Sequence, residues 1–236
     1  MDEFKWIQIS FILVTVLQLT AGTGLSPTYY VIVGDDVALA CGNVIEDQSD
    51  CDSTTWTWTS RSSNAAVELI RLGQITENRG FKLNKLSLGV NCSLVIKKVT
   101  KEDIGLFICQ QYKSHIKAAP DAWVYLSVIS MTEQKNRDEV TLICSVLTFD
   151  GCRQTVKWLF QNKDVEEHNQ GGRTSCTASL TIPSYLEIYK SRYKSLECKV
   201  SVGDGGQLFP FKLQPSDENP GKICIMIISD NSYCND

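Results

Sequence analysis

The sequence predicts an all-β chain folded as two β-sandwiches in series. Three observations lead there. Short segments of alternating apolar and polar residues recur along the chain, separated by turn residues, which is the rhythm of sandwich strands. The order Cys, Trp, Cys occurs twice, as Cys41, Trp56, Cys109 and again as Cys144, Trp158, Cys198. The length of 236 residues fits two small domains better than one.

Composition narrows the function classes. Apolar residues make up 43% of the chain, enough to build cores. The net charge is −4 with acids and bases interspersed. A nucleic-acid binder carries a basic stripe, and none is visible; Lys97, Lys98 and Lys101 read as a solvated strand end. Ten cysteines, an even number, read as a disulfide framework in an oxidising compartment. The competing reading, a metal site, lacks a C-x-x-C knuckle, and the only histidines are His115 and His168. No Ser/His/Asp arrangement or Gly-rich phosphate loop can be assembled, so neither catalysis nor a cofactor is expected.

Ile7–Leu19 is a short apolar run followed by small residues, Thr20-Ala21-Gly22-Thr23-Gly24. Residues 1–24 are expected to be a cleaved signal peptide, although Met1–Lys5 is not clearly basic. In residues 25–128, Val37–Cys41 alternates as a strand. Thr54–Thr59 alternates too and puts Trp56 and Trp58 on one side, because side chains repeat every second residue. Ser93–Ile96 and Asp103–Cys109 are further strands.

Cys41, Trp56 and Cys109, together with Leu94-x-Ile96-x-x-Val99 and Asp103-x-Gly105-x-Phe107-x-Cys109, resemble the immunoglobulin variable-type pattern. The resemblance implies a Cys41–Cys109 bridge between strands B and F with Trp56 packed on it. It implies a salt bridge from Asp103 to a basic residue opening strand D, for which Arg79 is the choice. The tyrosine of the family's corner is replaced by Phe107, which keeps the ring and loses the hydroxyl. The separation of 68 leaves room for extra strands, with Val67–Leu72 as C′. Gln110–Asp121 is expected to be a long F–G loop and Ala122–Val128 strand G. The Gly-x-Gly bulge of rearranged antigen-receptor segments is absent, which argues against an antibody or T-cell-receptor chain.

Residues 129–216 resemble a constant-type domain of the same superfamily. Val140–Cys144, Thr155–Phe160 and Leu196–Val200 stand for strands B, C and F, with a Cys144–Cys198 bridge and Trp158 against it. Leu196 replaces the corner tyrosine and Asp-x-Gly is missing. Pro210 falls in the presumed strand G, where an edge tolerates a missing N–H. Ser127–Ser130 contains no Gly or Pro, so a short, stiff join is expected.

The other cysteines repeat as well. Cys51 precedes Trp56 by five residues and Cys152 precedes Trp158 by six, both in B–C loops. Cys92 and Cys176 lie at even offsets before Leu94 and Leu180 and point inward. The B–C and D–E loops share one end of such a sandwich, so Cys51–Cys92 and Cys152–Cys176 are the expected pairs among the connectivities open. They act as staples, whether for stability alone or to present that end to a ligand.

Asn91-Cys92-Ser93 is an N-glycosylation sequon whose use is in question if Cys92 is bridged. The F–G segment holds Tyr112, Lys113, His115 and Lys117, readable as a ligand contact or as an ordinary solvated hairpin. Residues 217–236 form a tail in which Lys222–Ile228 is largely apolar but far shorter than the ~20 residues a membrane helix needs. Cys224 and Cys234 have no counterpart in the repeat and are expected to pair with each other or with a second chain.

The resemblance implies a two-domain ectodomain like those of vertebrate leukocyte receptors: an extracellular immune-type or adhesion module that binds a protein ligand, joined to a membrane only through a span missing from the C-terminus. A secreted decoy or antagonist is the alternative, and an enzyme or small-molecule carrier a distant third. The binding face is expected on the sheet of strands C, C′, F and G of the first domain.

Overall fold

The computed structural model describes residues 26–63, 65–77, 81–165, 176–183, 195–203 and 205–212. Their strands, in chain order, are β1 (Thr28–Ile32), β2 (Val37–Leu39), β3 (Thr54–Ser60), β4 (Ala66–Arg71), β5 (Gln74–Ile75), β6 (Leu86–Leu88), β7 (Leu94–Ile96), β8 (Gly105–Lys113), β9 (Ile116–Lys117), β10 (Ala122–Lys135), β11 (Glu139–Leu147), β12 (Thr155–Phe160), β13 (Lys163–Asp164), β14 (Thr177–Pro183), β15 (Leu196–Val202) and β16 (Gly205–Pro210). Three single 3-10 turns, Leu83–Lys85, Val90–Cys92 and Lys101–Asp103, are the only helical elements among the described residues. The fold is therefore all-β with antiparallel sheets, the arrangement of a β-sandwich. No helix of the described residues is long and apolar enough to cross a membrane.

The chain divides into two compact units. One holds Ala38–Leu94 and Gly105–Leu126 with the described residues before Tyr30; the other holds Tyr30–Val37, Val95–Ile104 and the described residues from Ser127 onward. In the first, β5, β4, β3, β8 and β10 are neighbours in that order. Leu39, Trp56, Leu69, Ile70, Leu94, Phe107 and Leu126 are fully buried there. In the second, β10, β11 and β14 pair in order, and a separate sheet runs β13, β12, β15, β16. Its core gathers Ile129, Met131, Leu142, Val156, Trp158 and Val200. A third sheet has the order β2, β7, β6.

Strand positions follow the alternation closely, and three departures have local causes. The strand expected from Asp103 begins only at Gly105, because Thr100 and Asp103 form a reciprocal capping box around the turn Lys101–Asp103. The Asp103 carboxylate accepts hydrogen bonds from the Thr100 N–H at 2.7 Å and its hydroxyl at 3.2 Å. Its expected partner Arg79 lies outside the described residues, as do His168, Cys224, Cys234, the N-terminal segment and the tail. The strand expected to end at Val128 continues to Lys135 as β10. Pro210 is where its missing N–H does least harm, at the end of β16 on a sheet edge.

The third departure is the expected long F–G loop. Gln110–Lys113 belong to β8, and Ile116–Lys117 fold back on them as β9, with Tyr112 opposite Lys117 and Lys113 opposite Ile116. Only Ser114 and His115 turn the corner, at φ 51° and 65°. Positive φ at both central residues is what a two-residue hairpin of the I′ type demands.

Candidate functional site

The site builds up from β8. Its burial alternates from Phe107 onward: Phe107, Cys109 and Gln111 point inward, while Ile108, Gln110 and Tyr112 point to the other face. The neighbouring registers extend that outer face into rows. Trp123 of β10 lies opposite Ile108, Ile108 opposite Thr57 of β3, and Thr57 opposite Glu68 of β4. The next row is Tyr125, Leu106, Thr59 and Ala66. Trp123 is 45% exposed, unusual for the largest apolar side chain in a strand, and Ile108, Thr57 and Tyr125 are half-buried beside it.

The hairpin borders this face. Lys117 Nζ pairs with Asp121 Oδ1 at 2.8 Å, and Gln110 Nε2 donates to the same oxygen at 3.2 Å. The Tyr112 hydroxyl reaches Gln110 Oε1 at 3.5 Å. Tyr112 is half-buried, whereas Lys113, His115 and Lys117 are exposed, and Ile116 is 73% exposed. Beneath the hairpin, Gln111 is fully buried. Its amide donates to Thr54 Oγ1 at 2.9 Å and accepts from Gln48 Nε2 at 3.0 Å. Thr54 in turn donates to Gln48 Oε1 at 2.7 Å. A buried amide satisfied on both ends fixes the strand that enters the hairpin.

Sulfur atoms are joined as Cys41–Cys109, Cys51–Cys92, Cys144–Cys198 and Cys152–Cys176. Trp56 stands opposite Cys109 in the β3–β8 ladder, and Trp158 opposite Cys198 in the β12–β15 ladder. Both indoles are fully buried. Phe107, also fully buried, meets Phe81 edge-on at 6.3 Å between centroids, and Phe81 meets Trp58 the same way at 5.0 Å. Gly105 lies under Trp58: a Cβ there would fall 2.3 Å from the indole nitrogen. Asn91 is exposed at the tip of its turn, away from the hairpin residues in sequence and element.

The structure thus places Tyr112, Lys113, His115 and Lys117 on one hairpin. Sequence reasoning passed over Trp123, which sits at an alternating position and reads as an ordinary strand residue until its neighbours are known. It also passed over Gln111, whose polarity hides its burial. Among the described residues, no group of three or more His, Cys, Asp or Glu is placed to hold a metal ion. No protein-family model matches the chain, and no curated protein matches it significantly.

Proposed function

We propose that the chain is a pair of tandem immunoglobulin-like sandwiches that works outside the cell by binding a protein ligand through the outer face of β10, β8, β3 and β4. The exposed indole of Trp123, at the head of the row Trp123, Ile108, Thr57, Glu68, is the observation that carries this reading. Protein interfaces concentrate their energy in a few aromatic or Arg anchors with near-neutral polar surroundings. Trp123 and Tyr112 supply aromatic anchors on a sheet, which is more rigid than a loop and loses less entropy when it docks. Thr57, Thr59 and Gln110 supply the polar surroundings. The four disulfides suit an oxidising, extracellular setting. The repeated Cys, Trp, Cys order and the indole lying across a buried bridge in each unit support the immunoglobulin-like reading.

The test is a screen of the full chain, fused to a bivalent tag, against an array of cell-surface and secreted proteins. Trp123→Ala is then measured against the captured ligand. A loss of more than ~1 kcal/mol in affinity, with an unchanged thermal transition, is the expected outcome, and Tyr112→Ala is expected to weaken binding as well. A ligand bound equally well by the wild type and by both variants would overturn the assignment of the face.

A further inference from the structure

The sequon Asn91-Cys92-Ser93 is a chemical signal that ligand binding leaves unused, and its surroundings are unusual. The middle residue is bridged to Cys51, 41 residues earlier, and is buried. Asn91 and Cys92 both have left-handed backbone, at φ 51° and 53°. The turn is closed further by Ser93 N–H donating to Val90 O at 3.2 Å and Gly89 N–H to Ser93 O at 2.9 Å. The Cys92 carbonyl is held inside by the Trp56 Nε1–H at 3.0 Å. Asn91 itself is exposed, and its neighbour Val90 is an apolar side chain 85% exposed.

We propose that Asn91 is an N-glycosylation site whose occupancy is set by the closure of the Cys51–Cys92 bridge. This rests on the extracellular reading above, since the donor sugar is met only on the export route. In the transfer, the Asn91 Nδ2 forms a bond to the anomeric carbon of an oligosaccharide. The bond from that carbon to the diphosphate oxygen of a polyprenyl carrier breaks, the carrier diphosphate leaves, and the amide gives up one proton. The transferase must admit the Asn91 amide and the Ser93 hydroxyl together. The bridged turn, with Cys92 anchored inward, has to open for that. Cys51 precedes the sequon, so it has already been synthesised when Asn91 emerges. Bridge closure therefore competes with transfer from the start: the two thiols become a disulfide as a dithiol–disulfide oxidoreductase of the export route is reduced to its dithiol. Once attached, the glycan is compatible with the bridge, because Asn91 faces solvent while Cys92 faces the core, and it shields Val90.

The experiment expresses the full chain in a eukaryotic secretory cell and reads the mass shift on treatment with an N-glycan-releasing amidase. The wild type is expected to be a mixture of glycosylated and bare chains, and Asn91→Gln to be bare. Cys51→Ser and the double variant Cys51→Ser/Cys92→Ser, which keeps an Asn-x-Ser sequon, are expected to shift to a single glycosylated species. These variants can fold poorly, so the wild type is also pulse-labelled with a membrane-permeant reductant present; the same shift is expected during synthesis, before folding matters. Equal occupancy with and without the bridge, or bare Asn91 in every case on a secreted, disulfide-bonded chain, would overturn this inference alone. A chain found in the cytosol with free thiols would overturn the extracellular reading, and this inference with it.

Discussion

Replacing Gly105 by Ala sets two effects against each other, and the structure decides between them. Alanine restricts the unfolded chain, which stabilises by ~0.4–1 kcal/mol where the native backbone accepts it. Gly105 needs no left-handed backbone, so that gain is available. The opposing effect is steric. The added Cβ would lie 2.3 Å from Trp58 Nε1, 2.5 Å from the Thr59 carbonyl oxygen and 2.8 Å from Trp58 Cδ1. Neither neighbour can give way easily: Thr59 O is backbone of the paired strand, and Trp58 is wedged on Phe81. Overpacking a filled core costs ~1–3 kcal/mol, and three contacts this short put the site at the upper end. The net expectation is a loss of ~2 kcal/mol, or a fall of about 8–16 °C in Tm for a domain of ~100 residues. Gly42→Ala is the control, because its Cβ would meet only Ala122 Cβ at 3.4 Å, an ordinary contact. It should be neutral or stabilise by up to ~1 kcal/mol. Tryptophan fluorescence during thermal unfolding reads both. If Gly105→Ala behaves like Gly42→Ala, the close approach of Trp58 to β8 is wrong. In a Trp58→Leu background the penalty should shrink to what Thr59 imposes.

Two further outcomes are expected. Removing Cys41–Cys109 should reduce stability more than removing Cys51–Cys92, as measured by denaturant unfolding. Loops of 68 and 41 residues restrict the unfolded chain almost equally, ~4.4 against ~3.9 kcal/mol. The difference must therefore come from the native state, where Cys109 is buried against Trp56 and Cys51 is only half-buried; equal losses would contradict this. Asp164, hydrogen-bonded to Lys157 Nζ at 2.7 Å, has its pKa held below the usual value by that bond and by the Lys157 charge, with a smaller contribution from Lys199. Its stabilisation is present above the ordinary carboxylate range and is lost as pH falls through the lowered pKa. Both side chains are more than half exposed, so the effect stays within the ~0–1 kcal/mol of a surface pair. Asp164→Asn should flatten the acid limb of a stability–pH curve by that small amount, and an equal change at pH 7 and pH 2 would contradict the sign.

Strand positions were legible because alternation is a strong signal where one face is buried: Thr155–Phe160 was read to the residue. The hairpin was not legible. Its two turn residues, Ser114 and His115, adopt positive φ, but Lys113-Ser114-His115-Ile116 lacks the Gly, Asn or Asp that signals a two-residue hairpin. The 3-10 turn ahead of Gly105 was hidden differently: Asp103 belonged to a motif that suggested strand, while its carboxylate was committed to the Thr100 backbone. Of the candidate site, Tyr112 was expected in a loop after the second cysteine, whereas it lies in β8 at an alternating strand position. Trp123 could not be singled out from sequence, because exposure on a strand depends on what its cross-strand neighbours leave open.

The two units solve one problem in the same way. A buried indole N–H left without an acceptor costs ~1–3 kcal/mol. Trp56 Nε1 donates to the carbonyl of Cys92 at 3.0 Å, and Cys92 is bridged to Cys51. Trp158 Nε1 donates to the carbonyl of Ala178 at 3.2 Å, two residues beyond Cys176, which is bridged to Cys152. In each case the second disulfide ties the segment supplying the acceptor to the loop just before the tryptophan. The bridge and the hydrogen bond then hold the same piece of chain, so their removal should not be additive. Trp56→Phe deletes the donor and keeps most of the ring; it should cost ~1–3 kcal/mol from the changed packing and the Cys92 carbonyl left buried without its partner. In a Cys51→Ala/Cys92→Ala background the carbonyl is free to turn toward solvent, and the same substitution should cost less by ~0.5 kcal/mol or more. Urea unfolding of the four proteins of this cycle measures the coupling directly. Additive losses would mean that the bridge does not hold the acceptor in place, and that the second disulfide stabilises through the unfolded chain alone.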